Sequence, residues 1–148
     1  MFELVKSNHA AGIYVDKGAA DYAGLLHVAG KLQADIRLVT DAEPAIDDTL
    51  SDGFQIIAGT IGSNPVIDRM IEKGELDVAA ISGKRESYAI RLFGDKLVVA
   101  GTETVSTLHG MYHISEKIGV SPWVYWGDAV PKKQSEIVFG DEIVFTSK

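Results

Sequence analysis

A strand that leads directly into a helix is the pattern that most constrains the fold of this chain. Residues 97–100 are apolar, and the run ends at Gly101. Apolar or small residues then recur at spacings of three and four, as one buried helical stripe requires, and they are Leu108, Met111, Tyr112, Ser115 and Ile118. Gly119 is a typical helix stop, and Pro122 prevents the helix from restarting. The segment therefore predicts a strand followed by a packed helix.

Two strand and helix pairs are predicted before this segment. Residues 12–16 predict a strand, and residues 21–39 predict a helix whose buried stripe is Leu25, Ala29, Leu32, Ile36 and Val39. Residues 54–58 form a nearly continuous apolar run, which is typical of a strand covered on both faces. After the loop 59–64, Ser63 or Asn64 suits a helix cap and Pro65 suits a first turn, and this second helix buries Ile67, Met70 and Ile71.

A hairpin is predicted between the second helix and the third. Its turn is at residues 94–95, and the register pairs Leu92 with Leu97 and Ile90 with Val99. These residues share one face of the hairpin, which is therefore apolar.

The C-terminal tail carries two more apolar segments, at residues 137–139 and 143–145, which predict a second hairpin or an edge strand. The expected fold is α/β or α+β, with a single mixed sheet and about three helices mainly on one face. The 148 residues are enough for one domain with a real core. No internal repeat or linker rich in Pro, Gly and Ser divides them.

Composition excludes several classes of function. The net charge of −7, with 14 basic residues scattered among 21 acidic ones, argues against a nucleic-acid partner. There is no cysteine, and so no disulfide or thiolate site. No apolar window of about 18 residues suggests a membrane span, and residues 1–6 lack the pattern of a signal peptide. A soluble chain is expected, and its cellular location stays open, since a trimmed export signal would leave no trace.

Several passages carry a family resemblance. Residues 119–123 read Gly-Val-Ser-Pro-Trp, and the segments 100–102 and 107–112 precede them. Individually weaker segments lie in the same order at 32–36, 56–62, 83–87 and 128–133. Together these passages cover most of residues 12–133 and resemble the N-terminal part of glycoside hydrolase family 115, the xylan α-glucuronidases.

The resemblance implies a non-catalytic N-terminal accessory domain of the kind that precedes glycosidase barrels. A (β/α)₈ barrel takes about 250 residues, so the catalytic barrel is expected downstream of residues 1–148. The parent would be a hydrolase that removes glucuronic acid or its methyl ether from xylan. Its barrel and carbohydrate substrate are the expected partners, self-association is also open, and no cofactor is implied. The alternative is a stand-alone carbohydrate-binding or protein-interaction module of the same fold.

Six residues are candidates for contact with another domain or with carbohydrate: Trp123, Tyr125, Trp126, Glu103, His109 and His113. The three aromatic residues suit an interface or a sugar platform, and we favour the interface or core packing. The other three depart from the family pattern. Glu103-Thr104-Val105-Ser106 replaces the Asp-Lys-Arg-Gly that the resemblance leads one to expect, and the histidines stand where Tyr and Asp are expected.

Catalytic, metal and anion sites are not favoured by the residue patterns. Glycosidases need two flanking carboxylates, and the spacing of Glu86, Glu103 and Asp128 marks no such pair. His109, His113 and Glu116 share one helix face and could accept zinc, but a solvated or partner-facing surface is the preferred interpretation. The loop 59–64 could hold an anion or a nucleotide phosphate, yet it fits no phosphate-binding motif, and we interpret it as a structural turn.

Overall fold

The computed structural model describes residues 1–120 and 133–147, which form two sheets and three α-helices. In chain order the elements are β1 (Phe2–Lys6), β2 (His9–Ala10), β3 (Gly12–Tyr14), α1 (Tyr22–Thr40), β4 (Ile46–Asp47), β5 (Gln55–Thr60), α2 (Pro65–Glu72), β6 (Tyr88–Phe93), β7 (Lys96–Gly101), α3 (Thr104–Lys117), β8 (Ile137–Phe139), a single 3₁₀ turn (Asp141–Ile143) and β9 (Phe145–Thr146).

The larger sheet has six strands in the order β4-β3-β5-β7-β6-β9. Strands β4, β3, β5 and β7 are parallel to one another, so their carboxyl ends lie along one edge. Strands β6 and β9 complete the sheet in antiparallel pairings. Every residue of β5 is buried, as the continuous apolar run predicts for a strand covered on both faces.

Helices cover both faces of this sheet. Helices α1 and α3 pack on one face, over a core that contains Ile90, Leu97 and Val99 of the hairpin. Helix α2 packs on the other face, over a smaller core that contains Ala89 and Val98. The predicted hairpin register is confirmed at both of its pairs, Leu92 with Leu97 and Ile90 with Val99.

The first two helices follow their sequence signals. All five predicted stripe residues of α1 are buried. At the start of α2, Asn64 Oδ1 accepts hydrogen bonds from the N–H groups of Val66 (3.0 Å) and Ile67 (3.2 Å), and Pro65 occupies the first turn. Ile67 and Met70 are buried. Because the cap satisfies two N–H groups that the helix leaves unpaired, the predicted start is confirmed.

The expectation of a single sheet is wrong in one respect. Strands β1, β2 and β8 form a separate antiparallel sheet in the order β2-β1-β8. The segment 137–139 therefore pairs with β1, where Phe139 lies opposite Phe2, and not with residues 143–145. The second hairpin is not formed. The edge-strand alternative is confirmed for Phe145–Thr146, which pairs with β6.

Helix α3 is slightly rotated from its predicted orientation, so that its buried face departs from the predicted stripe at Leu108 and Tyr112. Tyr112, assigned to the buried stripe, is 40% exposed. Met111, Ser115 and Ile118 of the predicted stripe are buried, but Leu108 is only partly buried, and Gly110 and Ile114 are buried in addition. The rotation lets the backbone of α3 approach the sheet at Gly110, which a larger residue would prevent. Within the described part of the chain, none of the helices has the length and apolar character needed to cross a membrane.

Candidate functional site

Helix α3 begins at the carboxyl edge of the parallel strands, the edge at which open α/β sheets hold their ligands. Glu103 is the residue before the helix. Its Oε1 accepts a hydrogen bond from the N–H of Glu86 (2.8 Å), and its own N–H donates to Ser106 Oγ (2.9 Å). Glu103 therefore joins the loop before β6 to the start of α3, and its carboxylate has a structural role here.

A buried hydroxyl network lies beside this start. Thr60, the last residue of β5, is 5% exposed and hydrogen bonds through Oγ1 to the Asp21 carboxylate. Thr60 Oγ1 also lies 2.9 Å from Thr107 Oγ1. The network therefore connects α1, β5 and α3. The second Asp21 oxygen, Oδ1, is buried and has no hydrogen-bond partner among the described residues.

The Asp21 network suits a structural junction better than hydrolysis. A glycosidase site requires two carboxyl groups that flank one bond, whereas this network contributes one carboxylate within the described part of the chain. Its two hydroxyls are buried under the helix rather than open to a substrate. The arrangement holds three elements in register.

His113 lies on α3, and its side chain contacts β6 and β9. Its Nδ1 is 3.0 Å from the Tyr88 hydroxyl, and its ring centroid is 4.5 Å from that of Phe145. Its Nε2 is buried with no partner among the residues described. Burial lowers the pKa of His113, helped by the positive charge of Lys117 and opposed by Glu116. Burial also raises the pKa of the Tyr88 hydroxyl.

The helix face that the sequence singled out as a possible zinc site separates into two environments. His113 contacts Tyr88 and Phe145, while His109 and Glu116 are exposed. Within residues 1–120 and 133–147, no three His, Cys, Asp or Glu side chains are grouped so that they could hold a metal ion.

The loop 59–64 uses its polar groups internally. Gly62 N–H donates to Asp68 Oδ1 (2.7 Å), and Asn64 is fully buried while it caps α2. The N–H groups that would hold an anion at this helix start are therefore already bonded to protein side chains. These contacts support the structural-turn interpretation.

A cleft of about 210 Å³ lies at the carboxyl ends of β3 and β4. Tyr22 and Leu26 of α1 form one side of it, and Lys17 and Asp48 form an ion pair of 3.7 Å on the other side. Leu26 is 38% exposed. The cleft thus combines an aromatic ring, an aliphatic side chain and charged groups.

The predicted aromatic candidates, Trp123, Tyr125 and Trp126, lie outside the described residues, as does Asp128. Of the other three candidates, Glu103 and His109 are exposed and His113 is half-buried. The structure thus places Glu103 at the start of α3 and His109 and His113 within it, but it does not bring the three side chains together in a common contact. Sequence reasoning missed the Asp21 network and the contact of His113 with Tyr88 and Phe145, since no local spacing signals either.

Comparison with known proteins gives a structural match. No family model matches the sequence, and no curated protein does so significantly. Among solved structures, 29 chains match. One of them is described as a family GH115 4-O-methyl-α-glucuronidase with specificity for decorated arabinogalactans. It superposes with a TM-score of 0.80 at 28% sequence identity, and the match covers 99% of this chain and 18% of that one.

Proposed function

We propose that this chain, which has the fold of a domain of glycoside hydrolase family 115, is the non-catalytic N-terminal domain of an α-glucuronidase of that family. The observation that carries the proposal is the match over 99% of the chain with a TM-score of 0.80. The same match covers only 18% of the solved enzyme, so most of that enzyme lies outside the region of likeness.

The fold favours a structural role over a catalytic one. In the part of the chain that the structure describes, the larger sheet has two distinct edges, β4 and β9, and does not close into a barrel. Of the described carboxylates near the start of α3, Glu103 holds the Glu86 backbone and Asp21 holds Thr60. In the proposed parent, a barrel downstream of residue 148 performs the hydrolysis. Its substrate is a polysaccharide decorated with glucuronic acid or its methyl ether, such as xylan.

The outer side of α3 is the described surface that we assign to contact with the barrel. Val105 is 57% exposed and Tyr112 is 40% exposed, and the exposed His109 lies between them in sequence. Exposed apolar side chains on one helix favour a protein partner. We keep Trp123, Tyr125 and Trp126 as further candidates for this contact or for carbohydrate.

An activity assay with two protein forms tests the proposal. The purified chain and the parent enzyme are incubated with glucuronoxylan and with glucuronic-acid-decorated arabinogalactan, and released uronic acid is measured. We expect release by the parent and none by the chain alone. Turnover by the chain that a single carboxylate substitution abolishes would contradict the non-catalytic assignment. A source gene without a barrel after residue 148 would contradict the parent assignment.

The alternative function, a stand-alone carbohydrate-binding module, is favoured by the cleft at β3 and β4. Tyr22 offers a ring for stacking on a sugar, while Lys17 and Asp48 offer polar groups for its hydroxyls. NMR titration of the chain with D-xylose, L-arabinose and D-galactose tests this function. Binding would shift the amide signals of residues 15–22 and would be lost in Tyr22→Ala but kept in Tyr112→Ala. Unchanged spectra would exclude the cleft as a site for these sugars.

A further inference from the structure

The final strand is held by few backbone bonds. Strand β9 has two residues, and it pairs with β6 at Thr146 opposite Ala89 and at Phe145 opposite Ile90. Isolated pairings of this length are marginal in water, so side chains must supply the rest of its stability. It is also an edge strand, with β6 as its neighbour in the sheet.

Side-chain contacts hold β9 from two sides. Arg91 donates hydrogen bonds to the Phe145 carbonyl (2.8 Å) and to Thr146 Oγ1 (2.7 Å). Ser147 adds two bonds to Tyr88, since its Oγ accepts from the Tyr88 N–H and its own N–H donates to the Tyr88 carbonyl. The remaining contact is aromatic. The Phe145 ring lies 4.5 Å from the His113 ring and 5.7 Å from the Tyr88 ring, measured between centroids.

His113 is the titratable member of this cluster. Of the four histidines in the chain, it alone is shielded from solvent, since His9, His27 and His109 are exposed. Its Nδ1 bonds to the Tyr88 hydroxyl, and its Nε2 is buried without a partner in the described part of the chain. We propose that His113 is an acid-sensitive latch, which holds β9 against β6 while the imidazole is neutral and releases β9 when the imidazole is protonated.

The reason is that a second proton on the imidazole needs a hydrogen-bond acceptor or water. A protonated imidazole has an N–H on both nitrogens, and the Nε2–H would then be a buried charged donor with no acceptor among the described residues. Burying such a group is costly. If Phe145 moves away, water can solvate Nε2. Protonation therefore favours the state in which β9 has left the cluster.

The surrounding charges do not remove this preference. On α3, Lys117 disfavours and Glu116 favours the protonated ring, and burial is the largest influence, so the pKa of His113 is lowered overall. On β6, Tyr88 is a neutral phenol with a raised pKa, and the Arg91 guanidinium, which bonds to β9, is positive. Glu142, in the 3₁₀ turn before β9, also has an electrostatic interaction with Lys117.

The sign of the pH dependence follows from linkage. With β9 docked, the pKa of His113 lies below the usual value of about 6.5, and with β9 released it returns towards that value. At a pH between these two pKa values, the released state binds more protons than the docked state. Docking is therefore full above about pH 6.5 and weakens as the pH falls from there towards the lower pKa. The release equilibrium can gain at most about tenfold per pH unit within it.

Two NMR measurements test the latch on the intact chain. Ring signals give the pKa of His113, which we expect to lie below the usual value of about 6.5 and to rise in Phe145→Ala. Amide exchange, expressed as protection factors, reports docking through the Ser147 N–H, which donates to the Tyr88 carbonyl (2.9 Å). Its protection should fall at least about threefold from about pH 7.5 to about pH 5, relative to β5 amides.

Matched variants separate the latch from general acid effects. His113→Phe keeps a ring in the cluster without a titratable group, so the loss of Ser147 protection with pH should disappear. His109→Gln removes an exposed histidine of the same helix and should leave the loss unchanged. An equal loss of Ser147 protection in His113→Phe, or a His113 pKa at or above the usual value of about 6.5, would overturn the proposal.

Discussion

Gly110→Ala tests whether the close approach of α3 to the sheet is essential to this fold. An added Cβ on Gly110 would lie 2.5 Å from Val99 Cγ1 and 3.1 Å from Tyr88 Cδ2. Relaxed contacts between carbon atoms are about 3.5–4.0 Å. Val99 is fully buried in β7, which pairs with β5 on one side and β6 on the other, so it has little room to move away.

Two opposing effects set the magnitude. Alanine favours a helix over glycine by about 1 kcal/mol, and an extra methyl group in a packed core costs about 1–3 kcal/mol. Because the shortest contact is well inside the relaxed distance, the steric cost should lie in the upper part of this range, at about 2–3 kcal/mol, and exceed the helix gain. We expect the free energy of unfolding to fall by about 1–2 kcal/mol, which for a domain of this size lowers the melting temperature by about 2–8 °C.

Gly30→Ala is the matched control for Gly110→Ala. Gly30 also lies inside a helix, α1, but an added Cβ there meets no heavy atom within 4 Å. This variant should raise the melting temperature by about 1–4 °C, because only the helix gain remains. Thermal unfolding followed by circular dichroism compares the two. In a Val99→Ala background, which removes the contacted Cγ1, Gly110→Ala should cost less. A rise in Gly110→Ala equal to that in Gly30→Ala would refute the packing argument.

The other predictions concern stability away from α3. Asn64→Ala should lower the free energy of unfolding by about 1 kcal/mol in urea titrations, because it removes the acceptor for two N–H groups of α2. Lys96→Met should lower it by roughly 1.5 kcal/mol in the same assay, because Lys96 Nζ donates to the carbonyls of Ser51 (2.7 Å) and Gly53 (2.6 Å). Burial raises the pKa of Asp95, but hydrogen bonds from Lys96 and Gly53 outweigh it, so the pKa is lowered overall. The stabilisation from Asp95 is then present above about pH 4 and lost as the pH falls through the lowered pKa, and Asp95→Asn should flatten this part of a plot of melting temperature against pH.

Features set by local pattern could be predicted from the sequence. The stripe of α1, the cap of α2 and the hairpin register all depend on residues that are near one another in the chain, and all three are confirmed. The second sheet could not be found in this way. Its central strand, β1, pairs with β8 at the other end of the chain, Phe2 opposite Phe139. A short apolar segment carries no mark of which distant strand it pairs with.

The orientation of α3 shows a different limit. A prediction from hydrophobic spacing assigns Leu108 and Tyr112, rather than Gly110, to the buried face, because glycine contributes no apolar side chain. In the structure, the close contact between the backbone of α3 and the sheet sets the orientation of the helix. Gly110 therefore faces the sheet, and Tyr112 is 40% exposed. The Asp21 network could not be predicted from the sequence, for a different reason. Thr60 and Thr107 are 47 positions apart, and isolated polar residues in an apolar run give no sign that they will meet.

Three of the passages that resemble family 115, at residues 56–62, 100–102 and 107–112, place a glycine in close contact with a neighbouring element. Gly110 lies in one of them and meets Val99, while Gly101 lies in another and would place an added Cβ against Thr107. At Gly59, in a third, an added Cβ would be 2.5 Å from Asn64 Nδ2. These three contacts pack α2 against β5 and α3 against β7. Among the departures from the family pattern, Glu103 and His109 are exposed, whereas Ser106 is buried and His113 is half-buried. Close packing at these three glycines is what a domain kept for its shape would show, and it supports the proposal that catalysis belongs to another part of a parent enzyme.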